Sequence, residues 1–401
     1  MVNSGKELCE TLNIAYDERL EPYFEKGRDL YLRRGDFVVD KDRIIRFNEK
    51  YKFIRSRLST ILEAADLVRE DENLMLFVYT LVAIYDAGLT PTYWEVDHNV
   101  TMMGIPDRER LDTDMAPIFS AFYFLERAVE EYERRGLPFE VISDTLHGME
   151  KEMDDYETMI GRVGMRRYVG WYSNWVNMCL ITVGRFQFKT LKFYQPVRVY
   201  RKGDDIKILM DGEYMHKKGM VFGSAGQDDE DGKFYAEIRE EGDRVIGYAA
   251  NELGECDPTP VELVGYREIL RKGDMVLDVH IPADLPLDPE TCNASYKNAW
   301  EILNKAYPEH GFKGIVCKSW MLEKRLLGIM GKETNVTRFQ DAYHGFPVKS
   351  NGDAIYSFIF KIPAPLPVAE LPENSSMQRA VKKYLSEGNY FYEKGGFMPM
   401  D

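Results

Sequence analysis

Along the first third of the chain, hydrophobic positions recur at helical spacing. In YKFIRSRLSTILEAADLVRE, residues 51–70, Phe53, Ile54, Leu58, Ile61, Leu62 and Ala65 fall on one face, and Arg55, Arg57 and Glu63 fall largely elsewhere. That pattern predicts an amphipathic helix. LMLFVYTLVAIY, residues 74–85, has little polar relief on any side, which predicts a central helix surrounded by its neighbours and ended near Gly88 and the Thr90-Pro91 turn. APIFSAFYFLERAVEEYERR, residues 116–135, predicts another, closed by Gly136 and Pro138. Two more helical segments are expected between Glu140 and Asn177, the second being MRRYVGWYSNWVNM.

The period then changes from helical to two. In ITVGRFQFKTLKF, Phe186 and Phe188 alternate with Arg185, Gln187 and Lys189, as in a strand with one buried side. VRVYR, DIKILMD, KFYAEIREE, RVIGYA and VELVGY continue as short strands between Gly- and Asp-rich turns. MVLDVHIP predicts a further strand, Asp288 is placed to cap a helix with Pro289 at its first position, and that helix runs to about Ala306. KGIVCKSW follows as a second strand, which makes a parallel βαβ unit. LEKRLLGIM predicts a helix and IYSFIFKI a final strand; PAPLPVAELPE separates these from a capped helix, SSMQRAVKKYLSEG, and an aromatic tail. The fold class expected is α+β. Residues 1–136 form a helical domain, residues 137–365 a mixed, mostly antiparallel sheet with one parallel βαβ splay, and residues 366–401 a C-terminal helix and tail.

Composition narrows the functional classes. With 401 residues, 44% of them hydrophobic and 13% aromatic, the chain can fill two ordinary cores. Its 52 Lys and Arg against 67 Asp and Glu give a net charge of −15, which argues against a broad nucleic-acid or anionic-membrane footprint. The N-terminal MVNSGKELCETLNIAYDERL carries acidic residues where a signal peptide has an apolar core, and residues 74–85 are too few to span a bilayer, so a cytoplasmic protein is expected. Cys9, Cys179, Cys256, Cys292 and Cys317 form no C-x-x-C pair or Cys/His cluster, so neither disulfides nor a metal site is expected. The acidic run QDDEDG lacks EF-hand spacing and reads as a solvated loop tip.

The chemistry concentrates on the βαβ unit. In MVLDVHIP, Asp278 and His280 share one face while Met275, Leu277, Val279 and Ile281 share the other. In GIVCKSW, Ile315, Cys317 and Ser319 line one face and Val316, Lys318 and Trp320 the other. If the two strands are neighbours, His280 and either Ser319 or Trp320 converge near the C-terminal strand ends, where open α/β sheets bind ligands. His280 is then a candidate general base, Asp278 its orienting partner, and Ser319 a hydrogen-bonding group at a reacting carbonyl. A strand histidine is also commonly satisfied by packing alone, and Cys317 suits packing better than reaction. Arg185, Gln187, Cys317, Trp320 and Asn335 are the candidates for binding substrate or cofactor, Trp320 as a pocket wall. Tyr93, Trp94 and His98, in TPTYWEVDHNV, are loop residues that offer a cleft wall, a dimer surface or an approach to the site.

WVNMCLITVGRFQF, GDMVLDVHIP, LPLDPETCNASYKNAW, IVCKSWMLEKRL and TNVTRFQDAY together resemble two-domain bacterial acyltransferase-like proteins, which pair a helical N-acyltransferase N-terminal domain with a GNAT-like C-terminal domain. The resemblance covers nearly the whole chain and is strongest from Gly273 to Tyr343. It implies a GNAT-like sheet whose two parallel strands splay apart, with acyl-CoA as co-substrate sliding its thioester arm into the opening and a small-molecule acceptor; separately, no metal is expected, and the N-terminal helices offer a cleft wall or a homodimer surface. GNAT enzymes usually hold the coenzyme A pyrophosphate with a Q/R-x-x-G-x-G/A loop after the first splayed strand. Here that loop is ADLPLDPET, with Asp284, Asp288 and Glu290 and two prolines that lack an N–H. Three functions therefore stand open: a GNAT-type acyltransferase, a non-catalytic small-molecule binding module on the same fold, and a hydrolase built on Ser319, His280 and Asp278 without a G-x-S-x-G elbow.

Overall fold

The computed structural model describes residues 2–13, 16, 18–87, 111–161, 163–165, 174–175, 177–282, 285–362 and 365–400. Tyr93, Trp94, His98, Asp284 and most of MRRYVGWYSNWVNM lie outside them. The chain forms two compact units, Met1–Val183 and Gly184–Asp401. The break expected at Gly136 falls within the first unit, and the C-terminal helix and tail belong to the second.

The first unit is helical: α1 (Gly5–Thr11), α2 (Glu21–Arg34), α3 (Lys41–Tyr51), α4 (Leu58–Glu70), α5 (Glu72–Ala87), α6 (Leu111–Phe122), α7 (Leu125–Arg134) and α8 (Phe139–Ile160), with strand β1 (Leu180–Val183) at its end. From Leu74 to Tyr85 every residue of α5 is buried, as its unbroken apolar run requires. Helix α2 crosses α5 closely because Gly27 has no Cβ; one added there would stand 2.7 Å from the Thr80 Cα. The helix expected over residues 51–70 is interrupted. Lys52 turns left-handed at φ 55°, and residues 53–57 leave the helical path before α4 begins. Arg57, the residue preceding α4, offers no side-chain cap, and Glu150 of α8 holds the segment that leads into the helix. Its carboxylate accepts the N–H groups of Arg55, Ser56 and Arg57 at 2.8, 2.7 and 2.7 Å.

In the second unit the main sheet runs β2 (Phe186–Lys192), β11 (Met275–His280), β12 (Ile315–Ser319), β14 (Lys394–Met398), β13 (His344–Pro347). Of these pairings only β11 with β12 is parallel. Residues 193–274, inserted between β2 and β11, build a second sheet from β3 (Val197–Lys202), β4 (Asp205–Met210), β7 (Arg239–Glu241), β8 (Arg244–Ala249), β9 (Val261–Val264) and β10 (Arg267–Leu270). They also form the β5–β6 hairpin (Glu213–His216, Lys233–Ala236). The parallel unit is as expected: α9 (Pro289–Ala306) links β11 to β12, and the Asp288 side chain accepts the Thr291 N–H.

IYSFIFKI is not a strand. Tyr356–Phe360 forms a helical turn that buries Ile359 and Phe360 with Trp320, Leu326, Leu371, Val381 and Phe391. Ile359 and Phe360 follow Ile355 by four and five residues, a spacing that suits a helical turn better than the alternation of a strand. The sheet is completed instead by β14, in the tail. There a Cβ on Gly395 would stand inside the Phe346 ring, and the same glycines that permit this packing weaken the sequence signal for a strand. α10 (Leu326–Met330), α11 (Asn335–Gln340) and α12 (Ser376–Ser386), the last with a Ser375–Gln378 capping box, complete the unit.

Candidate active site

The site is made by the way β11 and β12 part. Their ladder is two residue pairs long, Leu277 opposite Ile315 and Asp278 opposite Val316. Each strand runs on, but with its other neighbour: β11 stays on β2 as far as His280 opposite Gln187, and β12 stays on β14 as far as Ser319 opposite Lys394. The sheet is therefore split between the ends of β11 and β12, where backbone groups that a continuous ladder would use face a gap.

Alternation along the strands assigns the faces. Asp278 and His280 share a face with Gln187 and Lys189 of β2 and with Val316 and Lys318 of β12. Nε2 of His280 lies 3.3 Å from Oδ2 of Asp278. On this face a small pocket, with room for little more than one water, is lined by Asp278, Val316, Lys318, Phe193, Tyr194 and Phe346, with Cys317 in its wall. Tyr194 presents half its surface to solvent and packs the rest at this pocket; that packing first, and then the Asp278 carboxylate, raise its phenol pKa.

The other face is closed by aromatic rings. Tyr296 of α9 stacks on Phe186 at 4.9 Å, and Tyr343 donates its hydroxyl hydrogen to the Tyr296 oxygen at 3.0 Å. Burial pushes both phenols up, so both stay neutral. Burial, and then the Asp278 charge, likewise raise the Cys317 thiol well above its usual range. Cys317 is an inert wall.

The structure thus brings His280, Asp278 and Gln187 together, and separates the other candidates from them. Ser319 belongs to the face opposite His280, and its oxygen accepts the Met321 N–H at 3.1 Å, capping the turn that follows β12. The convergence of His280 with Ser319 expected from the strand ends does not occur, because the register sets the two strands with opposite parity. Trp320 is 8% exposed and belongs to the core around Ile355 and Phe391 instead of a pocket wall. Asn335 is exposed at the start of α11. Arg185, Gln187 and Lys189 are only 3%, 6% and 8% exposed, so both faces of β2 are buried where one solvated face was expected.

Arg185 supports the loop after β11. Its Nη2 donates to the Pro282 carbonyl at 2.8 Å and its Nε to the Pro286 carbonyl at 3.0 Å. These two bonds tie both ends of the loop to Arg185, and Asp288 caps the helix that follows. Hydrogen bonding to Thr291 lowers the Asp288 pKa, with a smaller contribution from Arg185, so the cap is a carboxylate at neutral pH.

Sequence reasoning missed a buried ionic cluster at the C-terminal end of β12. Lys394, fully buried, lies 3.6 Å from Glu255, and Arg325 lies 2.6 Å from Glu255 and 3.5 Å from Glu323. Burial lowers the Lys394 pKa and raises that of Glu323. These residues are dispersed in the sequence over separate turns and the tail, and no local spacing announces them. Among the described residues, no group of three or more His, Cys, Asp or Glu is placed to hold a metal ion, and no helix is long and apolar enough to cross a membrane.

Residues 43–178 match the family model described as N-acyltransferase N-terminal domain, and residues 180–398 match the one described as GNAT-like C-terminal domain. Solved structures similar over 100% of both chains include an acyltransferase in complex with decanoyl-CoA and teicoplanin, at TM-score 0.64 and 17% identity. An acyltransferase variant in complex with octanoyl-CoA is similar at TM-score 0.64 and 16% identity. At such identities the likeness is one of fold. No curated protein sequence matches the chain.

Proposed function

The chain belongs to the family that joins an N-acyltransferase N-terminal domain to a GNAT-like C-terminal domain, and from that premise we propose that it transfers an acyl group from acyl-CoA to an amine. The observation that carries this reading is the two-pair ladder between β11 and β12. The gap beyond it offers extended backbone to an acyl-pantetheine arm, and Asp278 and His280 stand together on the face beside it, where an acceptor amine would approach. The neighbours solved with octanoyl- and decanoyl-CoA support the same class of donor.

In the reaction proposed, His280 takes a proton from the acceptor ammonium, and Asp278, 3.3 Å away, orients the imidazole and stabilises its charged form. The free amine attacks the thioester carbonyl carbon. A C–N bond forms, the C–S bond breaks, the extra proton on the attacking nitrogen passes to the departing thiolate to leave free coenzyme A, and the proton held by His280 returns to solvent. Backbone N–H groups at the strand gap polarise the carbonyl oxygen. No covalent enzyme intermediate is needed.

The loop between β11 and α9 does not suit a pyrophosphate, since Asp288 takes the Thr291 N–H and Pro286 and Pro289 supply none. We therefore assign donor binding to the acyl-pantetheine arm, with little contribution from the nucleotide. The same loop favours a second reading, a non-catalytic binding module. Incubation with acyl-CoA and a panel of primary amines, followed by mass spectrometry, separates the two: amide product and free coenzyme A support transfer, and ligand binding without product supports the module.

A further inference from the structure

Four aromatic rings lie under the split in the sheet, on the face away from His280. Phe186 stacks on Tyr296 at 4.9 Å, Tyr296 meets Tyr343 edge to face at 6.1 Å, Tyr343 tilts against Phe339 at 5.2 Å, and Phe339 returns to Phe186 at 5.9 Å. The floor they make is fixed on the strands to either side of the split. Phe186 belongs to β2, one residue before Gln187, which stands opposite His280. Tyr343 rests on β14, where a Cβ on Gly396 would stand 2.9 Å from the Tyr343 Cβ. Gly396 is opposite Cys317, one residue beyond Val316, the last β12 residue paired with β11. The floor therefore runs from β2 to β14, three strand spacings or about 14 Å, beneath the stretch where β11 and β12 have parted.

Resting on the transfer reading, we infer that this floor, and Tyr296 and Tyr343 in particular, sets how long an acyl chain the gap accepts. An acyl thioester laid between β11 and β12 has its carbonyl beside the His280 face, and a chain that continued through the sheet would meet the rings on the other. Tyr296 and Tyr343 close the middle of the floor. Each is 3% exposed, and the Tyr343 hydroxyl donates to the Tyr296 oxygen at 3.0 Å. Two phenylalanines would fill much the same space but could part freely; the tyrosines cannot, because parting leaves two buried hydroxyls without each other. A chain that reaches the floor thus stops gaining affinity, where each further buried methylene would otherwise add about fourfold.

Calorimetry on the full chain with acetyl-, butyryl-, octanoyl- and dodecanoyl-CoA tests this. In wild type, affinity should stop rising before the end of the series; a climb of about fourfold per methylene through dodecanoyl would overturn the inference by itself. Tyr343→Leu and Tyr296→Leu each open a cavity in the floor that only longer chains reach. In either variant the ratio of dodecanoyl to butyryl affinity should rise at least about tenfold over wild type, for which two newly buried methylenes suffice. Tyr343→Phe keeps the ring and should shift the ratio less than Tyr343→Leu. Phe360→Leu, which trims a ring in the separate core around Trp320 and Phe391, should lower the Tm and leave the ratio as it is. An unchanged ratio in floor variants that still unfold cooperatively, or an equal shift in Phe360→Leu, would overturn the inference and leave the transfer reading intact. If wild type binds none of the four donors, the inference falls together with that reading.

Discussion

Replacing Glu150 by Gln tests how the first unit begins helix α4. The Glu150 side chain is 1% exposed. Besides the Arg55, Ser56 and Arg57 N–H groups it accepts the Ser56 hydroxyl at 2.9 Å, and it lies 3.0 Å from His147 Nδ1. Desolvation alone would raise its pKa, but the hydrogen bonds from His147 and the three backbone N–H groups overcome that, and the carboxyl falls from 4.5 to about 2. At about 1.4 kcal/mol per pKa unit this corresponds to about 3 kcal/mol; because a Gln amide oxygen can still accept some of the same N–H groups, 2–3 kcal/mol is the figure expected. A folded pKa below the unfolded one gives stability that is fully present above pH 4.5 and is lost as pH falls from there through about 2. Urea unfolding of wild type and Glu150→Gln should therefore differ by about 2–3 kcal/mol at pH 7 and converge toward pH 2. Hydrogen exchange at the amides of residues 55–57 localises the effect, and should speed up in the variant at pH 7. A stability difference that stays constant from pH 7 to pH 2, or amides whose exchange is unchanged, would refute the reasoning.

Three further outcomes can be measured on the second unit. His280→Ala should lower kcat by about a hundredfold or more with little change in KM, as loss of a general base does; an unchanged kcat would reassign His280 to packing. Lys394→Met should cost about 3 kcal/mol by leaving Glu255 and Glu323 with one cation between them. Because the Lys394 pKa is lowered on folding, wild-type stability should also rise relative to the variant as pH climbs toward 10.5; parallel stability curves would contradict this. Gly395→Ala should destabilise by about 1–3 kcal/mol through its collision with the Phe346 ring, with partial rescue by Phe346→Leu; a neutral effect would show that the ring shifts freely.

The parts of this fold that were legible in the sequence are those whose signal is local. Asp288 and Pro289 announce the start of α9, the 74–85 run announces a buried helix, and the alternation in MVLDVHIP places Asp278 and His280 on one side. What the sequence hid depends on partners far along the chain. The break between α3 and α4 is held by Glu150, and β14 is permitted by Gly395 lying under Phe346. The separation of Ser319 from His280 follows from the β11–β12 register, which periodicity within either strand cannot fix.

The central claim is that the gap between β11 and β12 accepts an acyl thioester arm, and calorimetric titration with octanoyl-CoA, octanoyl-pantetheine and free coenzyme A tests it most directly. The account predicts roughly micromolar binding of both acylated ligands, similar to each other, and much weaker binding of free coenzyme A. No binding of either acylated ligand at roughly millimolar concentration, or affinity that follows the nucleotide instead of the acyl arm, would contradict it.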